Sequence, residues 1–409
     1  MEKNRLKLDF IRPFFPALRD GYVFMDNAGG SQTLRPVVDY MVDYMWSSNV
    51  QHGASYEVSQ LSTNRVYEAS QHVRAYLNAS HVDEIVLGPS TSMLIRILSL
   101  GLVDLWEEGD EIIVTNTDHE ANVSPWSDLE KRGITVKIWS YNPESLKLEL
   151  DDLRQLMTDK TRLVAVTHAS NVLGTINPIK TIAEEVHKAG ALICVDGVAY
   201  APHRLPDVKE LDVDFYIFSW YKVYGPHYAV MYGRRELLSQ MTGINHYFIQ
   251  SSPYKFQPGN VNFELTYSLM GLFDYLAQVS EAHGGPSGRT REAYQYAFDL
   301  FAAHETELAQ RLIDFLHSKS GISIIGVPNG NIDKRVSTIS FVAEGRDSKA
   351  IVDKVDPYRI GIRYGDFYAK KLIEGLGIEA QNGVVRISMV HYNTMNELDR
   401  LIEILDGIL

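Results

Sequence analysis

The chain has a single cysteine, Cys194, so it can form no intramolecular disulfide, and a reducing cytoplasm is the expected setting. No run of about 18 uncharged apolar residues occurs, so no transmembrane helix is expected. The first residues, Met1-Glu2-Lys3-Asn4-Arg5, are polar and lead into no apolar segment, unlike a secretory signal. Basic residues are outnumbered, 39 Lys and Arg against 52 Asp and Glu, for a net charge of −13. They are scattered, with no basic stripe interleaved with aromatics, which argues against nucleic acid or anionic lipid as a partner. No pair of His or Cys stands at helical ligand spacing, so no metal site is expected.

What is present fits an acidic globular enzyme. The 409 residues are 45% hydrophobic and 22% charged, and that length favours two domains over one core. Apolar runs rich in Val and Ile predict buried strands at 111–115, 134–140, 162–167, 192–195 and 215–218. Between them, 3.6-residue spacing predicts helices over 34–46, 64–77, 91–105, 122–131, 150–157 and 182–189. Near-continuous apolar strands alternating with helices imply an α/β fold with a mainly parallel sheet covered on both faces. Ligands bind such sheets at the carboxyl ends of the strands. The tail reads as a smaller α+β unit, with helices over 300–318, 347–355 and 395–405 and strands at 321–327, 335–342 and 384–389. The segment His283–Gly288 reads as a hinge or loop.

Polar residues just beyond the strands carry the candidate chemistry. Lys222 follows the strand ending at Phe218 by a few positions. Alone it would more often be a solvated surface lysine; held at a buried strand end, its pKa would fall, as Schiff-base chemistry requires. Asp196 ends the strand 192–195 and stands 26 positions before Lys222. It is either a turn residue or the acid that keeps a pyridine nitrogen protonated. Strand–Asp followed by strand–Ser-x-x-Lys is the order of a pyridoxal-phosphate cradle. Ser90, Thr91 and Ser92 open a helix, as simple caps or as a phosphate site with help from Ser219. His119 lies at a strand-to-helix junction, to cap the helix or to stack on an aromatic cofactor. Asn171 is a turn residue or a donor to a ring oxygen. Arg386, inside an apolar strand, needs an anion: an internal acid or a substrate carboxylate.

These residues lie in VFMDNAGG (23–30), DHEANVSPW (118–126), THASNVLGTINPI (167–179), VDGVAYAPH (195–203), FSWYKVYGPH (218–227) and VVRISMVHYNT (384–394). In that order the motifs resemble the class V aminotransferases, the group of fold-type-I pyridoxal-phosphate enzymes that includes cysteine desulfurases and selenocysteine lyases. The likeness runs from about Phe15 to the C-terminus and is nearest to a desulfurase-like branch with DxxxYAPH and SxYKxxGPH signatures. It implies the fold-type-I transferase architecture, with a large cofactor-binding domain over 20–284 and a small domain from 1–19 with 285–409. It implies that Lys222 carries the cofactor and shuttles the Cα proton and that Asp196 pairs with the pyridine nitrogen. It implies that His119 stacks on the ring, that Asn171 contacts the ring oxygen, and that Thr91 and Ser219 hold the phosphate. It further implies that Arg386 clamps the substrate carboxylate, that Ala28 and Gly29 lie along the substrate, and that the protein is a homodimer with shared active sites.

Three departures qualify the resemblance. Desulfurases carry a nucleophilic cysteine on a loop after an Arg-x-Gly stretch; here, in 361–369, that position is Tyr368. Ala199 replaces a Gln or His that contacts the cofactor in relatives. Tyr221 replaces the His that precedes the lysine, and Asn260 stands where a neighbouring subunit offers a phosphate-binding Thr. The expectation is therefore a pyridoxal-phosphate enzyme acting on a small amino acid, with carbon–sulfur cleavage by β-elimination that uses no cysteine persulfide. Transamination, epimerisation, a decarboxylative aldol step and a non-catalytic cofactor-binding role stay open on the same frame.

Overall fold

In the computed structural model, which describes residues 5–409, a seven-stranded sheet forms the centre of the larger layer. The polar residues 1–4 considered above lie outside the described residues. The strands are β1 (Ile85–Gly88), β2 (Glu111–Thr115), β3 (Thr135–Trp139), β4 (Thr161–Thr167), β5 (Leu192–Asp196), β6 (Phe215–Ser219) and β7 (Ala229–Gly233). They run in the order β1-β7-β6-β5-β4-β2-β3. β3, β2, β4, β5 and β6 pair in parallel, while β7 runs antiparallel between β6 and β1.

Alternation along the strands explains the two covered faces. Val164, Val166, Ile193, Val195, Tyr216 and Phe218 point into one core. Their immediate neighbours Leu163, Ala165, Cys194, Phe215 and Ile217 point into another, on the opposite face. An apolar residue is thus needed at nearly every position, which is why these strands read as continuous runs.

A second sheet, all antiparallel, contains β8 (Ile322–Ile325), β9 (Thr338–Ala343), β10 (Arg363–Gly365) and β11 (Val384–Ser388), ordered β10-β11-β9-β8. Ile339, Phe341, Val385 and Ile387 form its core with Leu308, Leu312 and Phe315 from a long helix, Arg291–His317. The helix starts earlier than its spacing from Leu300 suggests. Thr290 caps it by accepting from the Ala293 amide at 3.2 Å, and its first half packs Tyr294, Phe298 and Phe301 into the other core. The stripe therefore changes partners along one helix. Among the described residues no helix is long and apolar enough to cross a membrane.

Three further elements depart from the sequence reading. The helix expected over 122–131 is instead a short helix, Ser124–Ser127, running into a 3-10 turn, Asp128–Arg132. Pro125 lacks an amide donor, and Gly133 ends the segment in the left-handed region at φ 83°. The helix expected to begin at Asn64 begins at Glu57. The strand expected from Arg335 begins at Thr338, because the buried Arg335 turns inward and donates to the carbonyl of Thr338 at 2.6 Å and to that of Val327.

Candidate active site

The carboxyl ends of β4, β5 and β6 deliver Thr167, Asp196 and Ser219 to one edge of the main sheet, where they border a single cleft. Sheet register sets Thr167 beside Asp196 and Asp196 beside Ile217. Lys222 ends a 3-10 turn, Trp220–Lys222, that begins where β6 stops. The turn is pinned on both sides. Ser31 Oγ accepts from the Tyr224 amide at 2.9 Å, and the Leu34 amide donates to the Tyr224 carbonyl at 3.0 Å. Tyr224, left-handed at φ 62°, donates its hydroxyl to the Pro202 carbonyl at 2.6 Å and meets His391 Nδ1 at 3.0 Å.

Lys222 is buried and lines the cleft. Burial first, then the Arg386 charge, lower its pKa to about 8, against the pull of Asp196 and Asp26. A substantial share of the amine is therefore neutral near pH 8 and can attack a carbonyl. Asp196 is buried in the same cleft and accepts from the Val198 amide at 2.8 Å. Burial raises its pKa to about 6, offset by that amide and by Lys222. A second buried acid, Asp118, lies behind the wall. It accepts from Thr115, from Asn122 at 2.5 Å and from the Thr167 amide at 3.1 Å. Burial, reinforced by Asp196, raises its pKa to about 7 against those donors.

At another side of the cleft, Ser90 caps the helix Thr91–Val103 and accepts from the Met93 amide at 3.2 Å. Thr91 Oγ1 lies 2.6 Å from Ser219 Oγ, and Ser92 lines the same cleft. First-turn amides of a helix have no internal partner, so this corner collects hydroxyls, free N–H groups and the positive dipole end. His119 forms part of another wall. Its Nδ1 accepts from the Ala121 amide at 3.0 Å, so the ring caps a turn and also faces the cleft, with the proton assigned to Nε2. Burial, then the Lys222 charge, lowers its pKa to about 4 and keeps it neutral.

Asn171 lines the cleft, and its Nδ2 donates to the Phe367 carbonyl at 2.9 Å. Arg386 is buried; its Nη1 donates to the Asn171 carbonyl at 3.1 Å and its Nη2 to Asp26 Oδ1 at 2.7 Å. The internal acid is thus present as Asp26, and Arg386, Ala28 and Gly29 do not themselves line the cleft that holds Lys222. Ala28 donates its amide to Ser388 Oγ at 2.8 Å, and a Cβ at Gly29 would stand 3.0 Å from Asp26 Oδ2. Asn260 stands apart. It borders a separate groove with Gly88, Pro89 and His227, not the cleft that holds Lys222.

Several residues of the site were not singled out in the sequence. Asp26 lies within the VFMDNAGG motif, but only the fold shows that it reaches Arg386. Asp118 lies one position before His119 and reads as a turn acid. Phe367, whose ring centroid is 3.6 Å from the Arg386 guanidinium carbon, gives no sequence signal at all. Tyr368 is 68% exposed and its ring centroid lies 5.1 Å from that of His119. Cys194 is buried inside β5, and burial first, then nearby carboxylates, push its thiol well above the usual range. Among the described residues no cluster of His, Cys, Asp and Glu is arranged for a metal.

The donor set suits pyridoxal phosphate. It offers a buried amine for the aldehyde, a buried carboxylate for the pyridine nitrogen, a neutral imidazole wall for the ring and a hydroxyl-lined helix start for the phosphate. The family model for class-V aminotransferases matches residues 23–401. The aminotransferase-like protein FGM3 of Gibberella zeae is 41% identical over the full length of both chains. The cysteine desulfurase-like protein ustD of Aspergillus flavus is 35% identical, covering 99% of this chain and 91% of that one. Among solved structures, the cysteine desulfurase CsdA from Escherichia coli superposes with a TM-score of 0.84 at 27% identity, covering 99% of this chain and 98% of that one. The cysteine desulfurase from Thermococcus onnurineus, at 24% identity and a TM-score of 0.87, shares the fold.

Proposed function

The chain belongs to the class-V aminotransferase family of pyridoxal-phosphate enzymes, and from that premise we propose that it cleaves the carbon–sulfur bond of a small amino acid by β-elimination, without a thiol of its own. One observation carries the reading. By the family resemblance Tyr368 stands at the loop position where desulfurases keep their nucleophilic cysteine, and Cys194, the one thiol, is sealed inside β5. Elimination needs a Schiff-base lysine, an electron sink and a proton shuttle, and none of these is a thiol.

In this reading Lys222 holds the cofactor and then, with its amine freed, takes the proton from the substrate Cα. When bound, pyridoxal phosphate supplies the sink for the electron pair left at Cα. Asp196 keeps the pyridine nitrogen protonated, and His119 packs against the ring as a neutral imidazole. Asn171 donates to the ring oxygen. Thr91, Ser219, Ser90 and Ser92 with the helix start hold the phosphate. Arg386 grips the substrate carboxylate beside Ala28 and Gly29. Sulfur departs from Cβ with its bonding pair, and hydrolysis of the released 2-aminoacrylate by water gives pyruvate and ammonia; the sulfur leaves as hydrosulfide from cysteine, as cysteine persulfide from cystine and as a sulfenic acid from a cysteine sulfoxide. The division into a large domain (20–284) and a small one (1–19 with 285–409) belongs to the same reading. So does a homodimer in which Asn260, on its separate groove, reaches the phosphate of the neighbouring site.

Transamination is the second reading, supported by the 41% identity to a protein described as aminotransferase-like. Incubating the holoenzyme with cysteine, cystine and cysteine sulfoxides separates the two. Elimination releases pyruvate without an added keto acid. Absence of pyruvate from all of these substrates, together with keto-acid-dependent amine transfer, overturns the lyase reading in favour of the second.

A further inference from the structure

Arg386 is sealed by the chain itself. It is only 1% exposed, so no ligand can reach it until a covering group moves. Its Nε is buried and has no hydrogen-bond partner among the described residues. Three groups enclose it: Asp26, the Asn171 carbonyl and the Phe367 ring.

They differ in how firmly they are held. Asp26 follows Met25, whose amide donates to Gly361 at 2.9 Å and whose carbonyl accepts from Ser388 at 2.7 Å, so it sits in a paired backbone. Asn171 stands on the buried turn after β4. Phe367 belongs to a short segment, Gly365–Ala369, that starts at the last residue of β10 and leads into the helix Lys370–Leu376. Phe367 and the following Tyr368 have φ of 53° and 60°. Left-handed backbone is disfavoured for residues with a Cβ, and two in succession persist only where surrounding contacts hold them. Phe367 and Ala369 are buried at the edge of the larger core, and the Tyr368 amide donates to Asp366 Oδ1 at 2.9 Å. Phe367 stacks on Arg386 and, at 5.8 Å, faces Arg363. Its carbonyl accepts from Asn171 at 2.9 Å, and the Tyr368 carbonyl accepts from the Glu120 amide at 2.8 Å.

We infer that Phe367 is the gate of the Arg386 subsite and a determinant of its specificity. A ligand enters when Gly365–Ala369 lifts the ring away, and it must bring an anionic carboxylate to replace the cation–π contact that is lost. Release of the segment also frees the Asn171 amide from the Phe367 carbonyl. Carboxylate recognition at Arg386 is thereby coupled to a donor that faces the cofactor. An amine lacking a carboxylate gives no compensation for opening, and the gate discriminates against it.

The inference rests on the proposed lyase function, in which Arg386 clamps the substrate carboxylate, and its test separates the two. The holoenzyme and its Phe367→Ala and Phe367→Leu variants are titrated with L-alanine and with ethylamine, following the cofactor's visible absorption band. Hydrogen exchange of peptides spanning 365–369 is measured in parallel. L-Alanine should speed exchange in this segment of the unmodified protein, and ethylamine should not. Phe367→Ala should tighten L-alanine binding about fivefold while leaving ethylamine unchanged, with Phe367→Leu between them. Exchange that L-alanine leaves unaltered, or variants that shift both ligands equally, would overturn the gate. Failure to form pyruvate with the exchange response intact sinks the lyase reading alone; pyruvate with a silent segment sinks the gate alone.

Discussion

The hydroxyl oxygens of Thr91 and Ser219 lie 2.6 Å apart, so a helix N-terminus and the end of a central strand meet at one corner of the cleft. In the proposed function each hydroxyl also holds the cofactor phosphate, and a hydrogen bond to a charged group contributes about 1.5–3 kcal/mol. Thr91→Ala or Ser219→Ala should therefore weaken pyridoxal-phosphate binding roughly tenfold or more. Because the two share a partner, the double variant should lose less than the sum. Titration of the cofactor's visible band reads both effects.

The lowered pKa of Lys222 sets how fast the cofactor attaches. Only the neutral amine attacks an aldehyde, and burial brings its pKa to about 8. The rate of covalent loading into cofactor-free protein should rise about tenfold per unit below pH 8 and flatten above it. A rate that keeps climbing to pH 10 would mean that Lys222 is not shifted. His119, neutral above about pH 4, should add no second inflection in this range.

Asp118 gives stability a pH dependence of definite sign. Its pKa is raised from 3.8 to about 7, chiefly by burial. A raised folded-state value means that its contribution is fully present below pH 3.8 and is lost as pH rises through about 7. Asp118→Asn, which cannot ionise, should therefore gain on the unmodified protein between pH 5 and pH 8. The gain between these pH values is about 2.7 kcal/mol, from the roughly two units separating pH 5 from the folded value of about 7 at 1.36 kcal/mol each. Denaturant midpoints for both proteins at the two pH values measure it; parallel pH profiles would contradict the assignment.

Cys194 should be dispensable for catalysis. Its side chain packs with Ala165 and Ile217 on one face of the sheet, away from the cleft. Cys194→Ala should cost about 1 kcal/mol of stability through a small cavity and leave turnover within twofold. Loss of activity without loss of fold would restore a role for the thiol.

The strands of the main sheet were legible because both of their faces are buried, which demands apolar residues throughout. Lys222, Asp196, Thr91, Ser219 and Asn171 were legible as candidates because each stands just beyond an apolar run, where such sheets present ligands. The partner of Arg386 was not legible. Asp26 is 360 positions away, and pairing over that distance is decided by the fold and not by local pattern. Phe367 gave no signal, since an aromatic in a loop reads as surface or core alike. Asn260 shows a further limit. It borders a groove separate from the cleft of Lys222 within one chain, and the phosphate contact expected of it belongs to the proposed homodimer.

The account turns on Lys222 as the lysine that carries the cofactor. Lys255 offers a fair control, being buried too and lowered by burial, but it donates to the Met241 carbonyl at 2.7 Å, far from the polar constellation of the cleft. Borohydride reduction of the pyridoxal-phosphate-loaded protein, followed by peptide mass spectrometry, locates the attachment directly. The account predicts a phosphopyridoxyl group on Lys222 and its disappearance in Lys222→Ala. A label on Lys255 or another lysine, or an unlabelled Lys222, would contradict it.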